Sequence, residues 1–236
     1  MLPRTIFFDM DDTLLDGWSA MTVSWETVCH DYAPTLGCDA EKLRLAIRKH
    51  ATEFWSDEAA VGHWRVALDE AREIVIRNAL TAEGWDPSFA REIAVEYAVR
   101  HGQNLRPFDD AVETLVALRS AGYRLGMITN GHGVPQRAKI DGYDLARHMD
   151  AIVIEGEFGK GKPEREVFEH ALTATGTSPY EAWHIGDNLY ADVAGAKSVG
   201  IHAVWIHRER LELREDIEVK PDRVIAHLRE LRKELL

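Results

Sequence analysis

The chain has only two cysteines among its 236 residues, Cys29 and Cys38. They fit neither a disulfide framework nor the paired spacing of a zinc site, so both read as free thiols. Long apolar runs are missing as well: no stretch reaches the roughly 20 residues that a membrane-spanning helix needs. The opening MLPRTIFF lacks the long apolar region and small-residue cleavage site of a secretory signal. A soluble, cytoplasmic protein with no membrane partner is expected. Positive charge is also scarce, with 28 Lys and Arg against 40 Asp and Glu and a formal net charge of -12. That balance argues against nucleic acid or an anionic membrane as the main partner, because both need clustered cations. Internal repeats and low-complexity tracts are absent. What is present is a 45% hydrophobic content, sufficient for a sizeable core.

From Phe108 onward, short apolar runs alternate with helical patterns, the signature of a parallel sheet covered by helices. Strands are expected at residues 123–129, 151–154, 182–185 and 203–206, with residues 6–9 a fifth of the same kind far upstream. Helices are expected over 110–121, 163–175 and 189–199. Ser178-Pro179-Tyr180-Glu181 reads as a capping box with proline in the first turn. Residues 17–106 have another texture. EKLRLAIRKHATEFW and ALDEAREIVIRNAL place apolar residues at helical spacing, and Asp86-Pro87 reads as an N-cap followed by a first-turn proline. About four helices and no strand are expected there. The predicted fold class is α/β: a Rossmann-like parallel sheet core with helices on both faces, residues 1–16 and 107–236, plus an inserted all-α domain, residues 17–106. Asp16-Gly17 and Arg106-Pro107 would be the hinges. Five of the seven tryptophans (Trp18, Trp25, Trp55, Trp64 and Trp85) fall in the insert. They are expected to pack its core, with one or two as candidates to line a substrate pocket.

In an open parallel sheet, ligands bind at the carboxyl ends of the strands. Three expected strands end there in reactive polar groups. The first runs into Asp9-Met10-Asp11-Asp12-Thr13, another into Thr129-Asn130-Gly131, and a third into Asp187 with Asp192 five residues later. Lys162 stands just before the expected helix 163–175, where an ammonium opposes the helix dipole by about 0.3–1 kcal/mol. A cation kept at that local cost is a functional candidate. Three carboxylates within four residues repel one another, and burying them requires a compensating cation. Alternation along a strand points Asp9 and Asp11 the same way and leaves Asp12 as a turn residue. Asp9, Asp11 and Asp187 gathered at one sheet edge would make an oxygen-rich site suited to Mg2+.

Several rival patterns fail on particular residues. GEFGKGKP nearly matches a nucleotide-binding loop, but Pro163 offers neither the hydroxyl nor the backbone N–H that loop needs. A signalling receiver domain also uses an acidic pair, a Thr and a Lys. Its phosphoacceptor, however, ends a later strand, and it has about half this length with no helical insert. His132 reads as a loop residue that could approach substrate, His184 as a satisfied buried histidine, and the run 209–218 as a solvated surface.

DMDDT, ITNG, GKPEREVF and GDNLYAD, in that order, resemble the four motifs of the haloacid dehalogenase superfamily. The likeness spans nearly the whole chain and points to the phosphatase branch with a helical, C1-type cap. It implies that Asp9 attacks phosphorus and becomes an aspartyl-phosphate, while Asp11 protonates the departing alkoxide and then takes a proton from water. It implies that Thr129, backbone amides near Asn130, and Lys162 hold the phosphoryl oxygens. Mg2+ would bind Asp9, the backbone carbonyl of Asp11 and Asp187, with Asp192 ligating or holding a metal-bound water. Residues 17–106 would close over the site and choose among small phosphorylated metabolites: sugar phosphates, phosphoglycolate-like compounds or nucleoside monophosphates. Both monomer and homodimer stay open. Dehalogenases of the superfamily attack carbon and lack an aspartate two residues after the nucleophile, so Asp11 disfavours that branch. The alternative of another class is a non-catalytic or regulatory relative that binds a phosphorylated ligand.

Overall fold

Thr5–Phe8 (β1) is buried at every position, as a central parallel strand covered on both faces should be. In the computed structural model, which describes residues 2–56, 64, 67–208 and 219–236, this strand lies inside a six-stranded sheet. The other strands are Arg124–Thr129 (β2), Ala151–Ile154 (β3), Ala182–Gly186 (β4), His202–Ile206 (β5) and Arg223–Ile225 (β6). All pair in parallel, in the order β3-β2-β1-β4-β5-β6. That order reverses direction between β1 and β4, the position at which open α/β sheets bind ligands. The five expected strands are all present. β6 was not expected, being only three residues long.

The chain forms two compact units, Met1–Asp16 with Pro107–Leu236, and Gly17–Arg106. The second contains Gly17–Leu36 (α1), Ala40–Phe54 (α2), Leu68–Ala82 (α3) and Ala90–Asn104 (α4). Asp39 caps α2 by accepting from the amides of Glu41 and Lys42. Asp86 caps the single turn Pro87–Phe89 before α4, as its proline neighbour suggests. The apolar faces meet in a core that includes Val28, Ile47, Ile76, Ile93 and Tyr97. Trp25 and Trp85 pack against that core, and Trp25 stacks on Tyr97 with ring centroids 4.1 Å apart. Trp18, Trp25 and Trp55 also line a cavity of about 590 Å³ within this unit.

In the sheet unit, Ala111–Ser120 (α5) packs on β2, and after Gly133–Gly142 (α6) comes Arg165–Thr175 (α7), which packs on β2 and β3. Arg229–Leu235 (α8) packs on α5. Phe7, Ile128, Val167, Phe168 and Trp205 share the core. The segments entering and leaving the helical unit pair in antiparallel fashion at Leu15 and Pro107, and the Phe108 amide donates to the Leu14 carbonyl at 2.9 Å.

Three local expectations differ from the structure. The helix expected at 163 starts at Arg165, with Glu164 at its N-cap. The helix expected over 189–199 is a π-type segment, Leu189–Ala194, followed by one turn, Gly195–Ser198, because the Asn188 side chain takes the amides of Tyr190 and Ala191. In the expected capping box, Ser178 donates its hydroxyl to the Glu181 carboxylate, and a single turn, Pro179–Glu181, results. No helix among the described residues is long and apolar enough to cross a membrane. The run 209–218 lies outside the described residues.

Candidate active site

β1, β2 and β4 end side by side, and each delivers a functional group at its carboxyl end: Asp9, Thr129 and Asp187. The Asp9 amide still donates to the Ile185 carbonyl at 2.9 Å, which fixes the residue to the sheet edge. Asp9, Asp187 and Asp192 each offer an oxygen within 4.8 Å of the others. The Lys162 ammonium, only 2% exposed, lies 2.6 Å from Asp9 Oδ1 and 2.6 Å from Asp192 Oδ1. The second oxygen of Asp9 has no hydrogen-bond donor among the described residues, and 10% of the side chain stays exposed.

The motif after β2 holds that lysine in place. Asn130 Oδ1 accepts from the Lys162 amide at 2.7 Å, and Asn130 Nδ2 donates to the Lys162 carbonyl at 2.8 Å. The Asn130 side chain thus positions Lys162 through its oxygen and one of its two N–H groups, whereas phosphate was expected to meet backbone amides near Asn130. The neighbouring Gly131 amide donates to Glu155 Oε2 at 2.9 Å, so it too is engaged.

Asp192 has similar duties. Its Oδ1 accepts from Lys162 and from His184 Nε2 at 2.9 Å, and its Oδ2 accepts from the Asn188 amide at 3.0 Å. This carboxylate reaches the strand only because residue 186 is glycine, since a Cβ there would lie 2.1 Å from Asp192 Cγ. Next to a carboxylate, His184 Nε2 carries the proton, and the bare Nδ1 is buried without a partner among the described residues. His184 is thus half satisfied, where full satisfaction was expected. Trp205 Nε1 donates to the Asp187 carbonyl at 2.7 Å and anchors the third acidic residue.

The electrostatics follow from one lysine among three carboxylates. Burial pushes Asp9 up to about 7; Lys162 pulls it back, while Asp192 and Asp11 add to the rise. Burial, followed by repulsion from Asp9, Asp192 and Asp12, pushes Asp187 up to about 8. Burial would raise Asp192 too, but Lys162 and His184 hold it well below the usual carboxylate range. Burial likewise works against the Lys162 ammonium, and the two aspartates outweigh it and hold its proton more tightly than usual. One carboxylate is fully compensated and two are not. Two hard carboxylates short of positive charge, with a third beside them, suit a cation such as Mg2+.

Asp11 departs from expectation. Its carboxylate is gripped through both oxygens by Lys139 Nζ, at 2.8 Å and 2.8 Å, and accepts from Gln136 Nε2 at 3.1 Å. It is not part of the three-carboxylate group, because β1 ends at Phe8 and strand alternation no longer applies three residues later. Asp12 is the expected turn residue, at φ 60°. Gln136 is buried at 4% exposure and also donates to Thr129 Oγ1 and to the Asn130 carbonyl, both at 2.8 Å. The sequence reading missed Gln136 and Lys139. Their spacing of three, just after ITNG, would have put both on one face of any helix starting there. His132, expected in a loop, is the N-cap of that helix and accepts from the Val134 amide at 3.3 Å.

Several known proteins resemble the chain over nearly its whole length. A phosphoserine phosphatase of Thermus thermophilus is 34% identical, over 97% of this chain and 97% of its own length. A glyceraldehyde 3-phosphate phosphatase of Pyrococcus furiosus is 28% identical over 97% of this chain and 91% of its own. Among solved structures, the HAD-hydrolase YfnB of Bacillus subtilis, described in a magnesium-bound form, matches with a TM-score of 0.79 at 21% identity, covering 100% of this chain and 99% of its own, and so shares the fold. Residues 3–200 match the model of the haloacid dehalogenase-like hydrolases, and the chain belongs to that family.

Proposed function

We propose that the chain is a Mg2+-dependent phosphatase that hydrolyses small phosphomonoester metabolites through an aspartyl-phosphate on Asp9. The observation that carries this reading is Asp9 itself: one oxygen is fixed on a buried lysine, the other has no donor among the described residues, and the setting is short of positive charge. Mg2+ would be held by Asp9, Asp187 and the backbone carbonyl of Asp11, with Asp192 beside them, and would neutralise charge between an anionic nucleophile and an anionic ester.

The chain's own groups then have distinct tasks. The free oxygen of Asp9 attacks phosphorus; the P–O(Asp9) bond forms as the P–O bond to the organic group breaks. Asp11, protonated at that stage, gives its proton to the departing alkoxide. Water next attacks the phosphoryl group, Asp11 takes the proton released, and the P–O(Asp9) bond breaks to free phosphate. Thr129 and Lys162 offer donors to the phosphoryl oxygens. Asp11 favours phosphate esters over haloacids, since an alkoxide needs a proton and a halide does not.

The relatives named as phosphoserine and glyceraldehyde 3-phosphate phosphatases support a small phosphorylated metabolite as substrate. Because those two substrates differ in their organic part, the reading extends to the class and not to one compound. The separate compactness of Gly17–Arg106, inserted after β1, supports reading it as a cap.

The test is phosphate release from a panel of phosphomonoesters, with Mg2+ and with chelator, using a folded Asp9→Asn protein as control. Release that needs metal and vanishes in the variant is expected. Full activity of Asp9→Asn would falsify the mechanism. No release from any ester by the unaltered chain, with phosphate binding retained, would favour the non-catalytic relative.

A further inference from the structure

Gln136 and Lys139 belong to none of the recognised motifs, yet between them they touch both halves of the proposed chemistry. They lie three residues apart on α6, which starts directly after β2, and so project from one side of that helix. Lys139 Nζ is 2.8 Å from each oxygen of Asp11, a two-point hold that fixes the carboxylate's orientation as well as its place. Gln136 is a buried amide whose two N–H groups face three acceptors: Asp11 Oδ2, Thr129 Oγ1 and the Asn130 carbonyl. A core glutamine needs a reason, because burying an amide is costly unless its hydrogen bonds are made.

The contact with Thr129 has a chemical consequence. A hydroxyl has one proton and two lone pairs. With Gln136 donating into the Thr129 oxygen, the hydroxyl proton points away from Gln136. Its one acceptor among the described residues is the Asn130 carbonyl at 3.5 Å, the outer limit for such a bond, so it is available to a ligand oxygen.

We infer that Gln136 and Lys139 are a positioning pair: Lys139 sets where the Asp11 carboxyl meets the leaving group, and Gln136 turns Thr129 into a donor for the phosphoryl oxygens. This rests on the phosphatase reading above. Neither residue touches the reacting atoms. Each acts through one that does.

The experiment compares kcat/KM for two esters, p-nitrophenyl phosphate and an alkyl phosphate, in the unaltered protein, Lys139→Met, Lys139→Arg and Gln136→Met. For both esters kcat/KM reports formation of the intermediate, but only the alkoxide needs a proton as it leaves. Lys139→Met should lower the alkyl-to-aryl ratio about tenfold or more, a fraction of the roughly 10²–10⁴-fold that a positioned general acid contributes. Lys139→Arg should recover much of that ratio. Gln136→Met should weaken inhibition by inorganic phosphate about tenfold, the loss of one hydrogen bond to a charged group, and act alike on both esters. An unchanged ratio in Lys139→Met, with the unaltered enzyme active, would overturn the assignment of Lys139 alone. Unchanged phosphate inhibition in folded Gln136→Met would overturn that of Gln136. If the unaltered chain releases phosphate from neither ester, the phosphatase reading falls and this inference falls with it.

Discussion

Without a divalent cation, the folded protein should lose stability as pH rises from about 5 to about 8, and Mg2+ should restore more of it at the upper end. The unfolded chain ionises its aspartates near 3.8, whereas the folded, metal-free site keeps protons on Asp9 up to about 7 and on Asp187 up to about 8. Through these two groups the folded state binds more protons than the unfolded one between those limits, and their contribution to stability falls with rising pH. Burial lowers His148, His184 and His202, which act in the opposite sense below 6.5. Asp192 acts in the opposite sense. Its depressed carboxyl stabilises the fold above 3.8 and loses that contribution only in acid, so it is constant across the window chosen. At about 1.4 kcal/mol per unit, two such groups set a ceiling of roughly 7 kcal/mol between about pH 5 and 8. The repulsion between Asp9 and Asp187 is counted in both shifts, so a fall of about 2–4 kcal/mol is expected, roughly 4–16 °C in Tm for a chain of this size. Calorimetric unfolding in chelator and in millimolar Mg2+, at both pH values, reads this directly. A chelated protein whose stability is flat or rises between about pH 6.5 and 8, above the histidine range, would refute the reasoning. So would a Mg2+ effect of equal size at both ends, because the cation would then not be relieving crowded carboxylates. Asp187→Asn should flatten the slope and shrink the Mg2+ effect together.

Two further perturbations bear on the same site. Lys162→Met leaves Asp9 and Asp192 buried without their common partner at 2.6 Å, and should cost about 3–5 kcal/mol in urea unfolding near neutral pH along with nearly all activity; a loss under about 1 kcal/mol would mean the ammonium compensates neither carboxylate. Gly186→Ala places a Cβ 2.1 Å from Asp192 Cγ, and should cost about 1–3 kcal/mol and weaken Mg2+ binding in a calorimetric titration. Unchanged stability and unchanged Mg2+ affinity together would show that the close approach of Asp192 to β4 is dispensable.

Much of the sheet was legible because its central strands are buried on both faces and so read as plain apolar runs, as in Ile6-Phe7-Phe8. Their carboxyl ends were legible for the same reason, since each run stops where Asp9, Thr129 or Asp187 begins. What was hidden depended on partners distant in sequence. Arg223–Ile225 is a strand only through its pairing with β5. The π-type segment at Leu189 follows from an asparagine bonding two amides, a local event that leaves no trace in apolar spacing. α6, written GVPQRAKIDG, has glycine at both ends, a proline in its first turn and a weak apolar face, so nothing in it announces a helix.

Asn130 and Gln136 show why hydrogen-bond accounting, more than motif membership, decides what a polar side chain near a reactive residue is for. Asn130 stands inside a motif, and its type suits a phosphate ligand. Yet one of its N–H groups and its oxygen bond the backbone of Lys162, at 2.8 Å and 2.7 Å, so it delivers the lysine. Gln136 stands outside every motif, but it has more acceptors within reach than hydrogens to give, and one of them is the threonine that closes β2. A hydroxyl whose lone pair is filled by a neighbour still has a proton to offer, and in this site that proton belongs to Thr129.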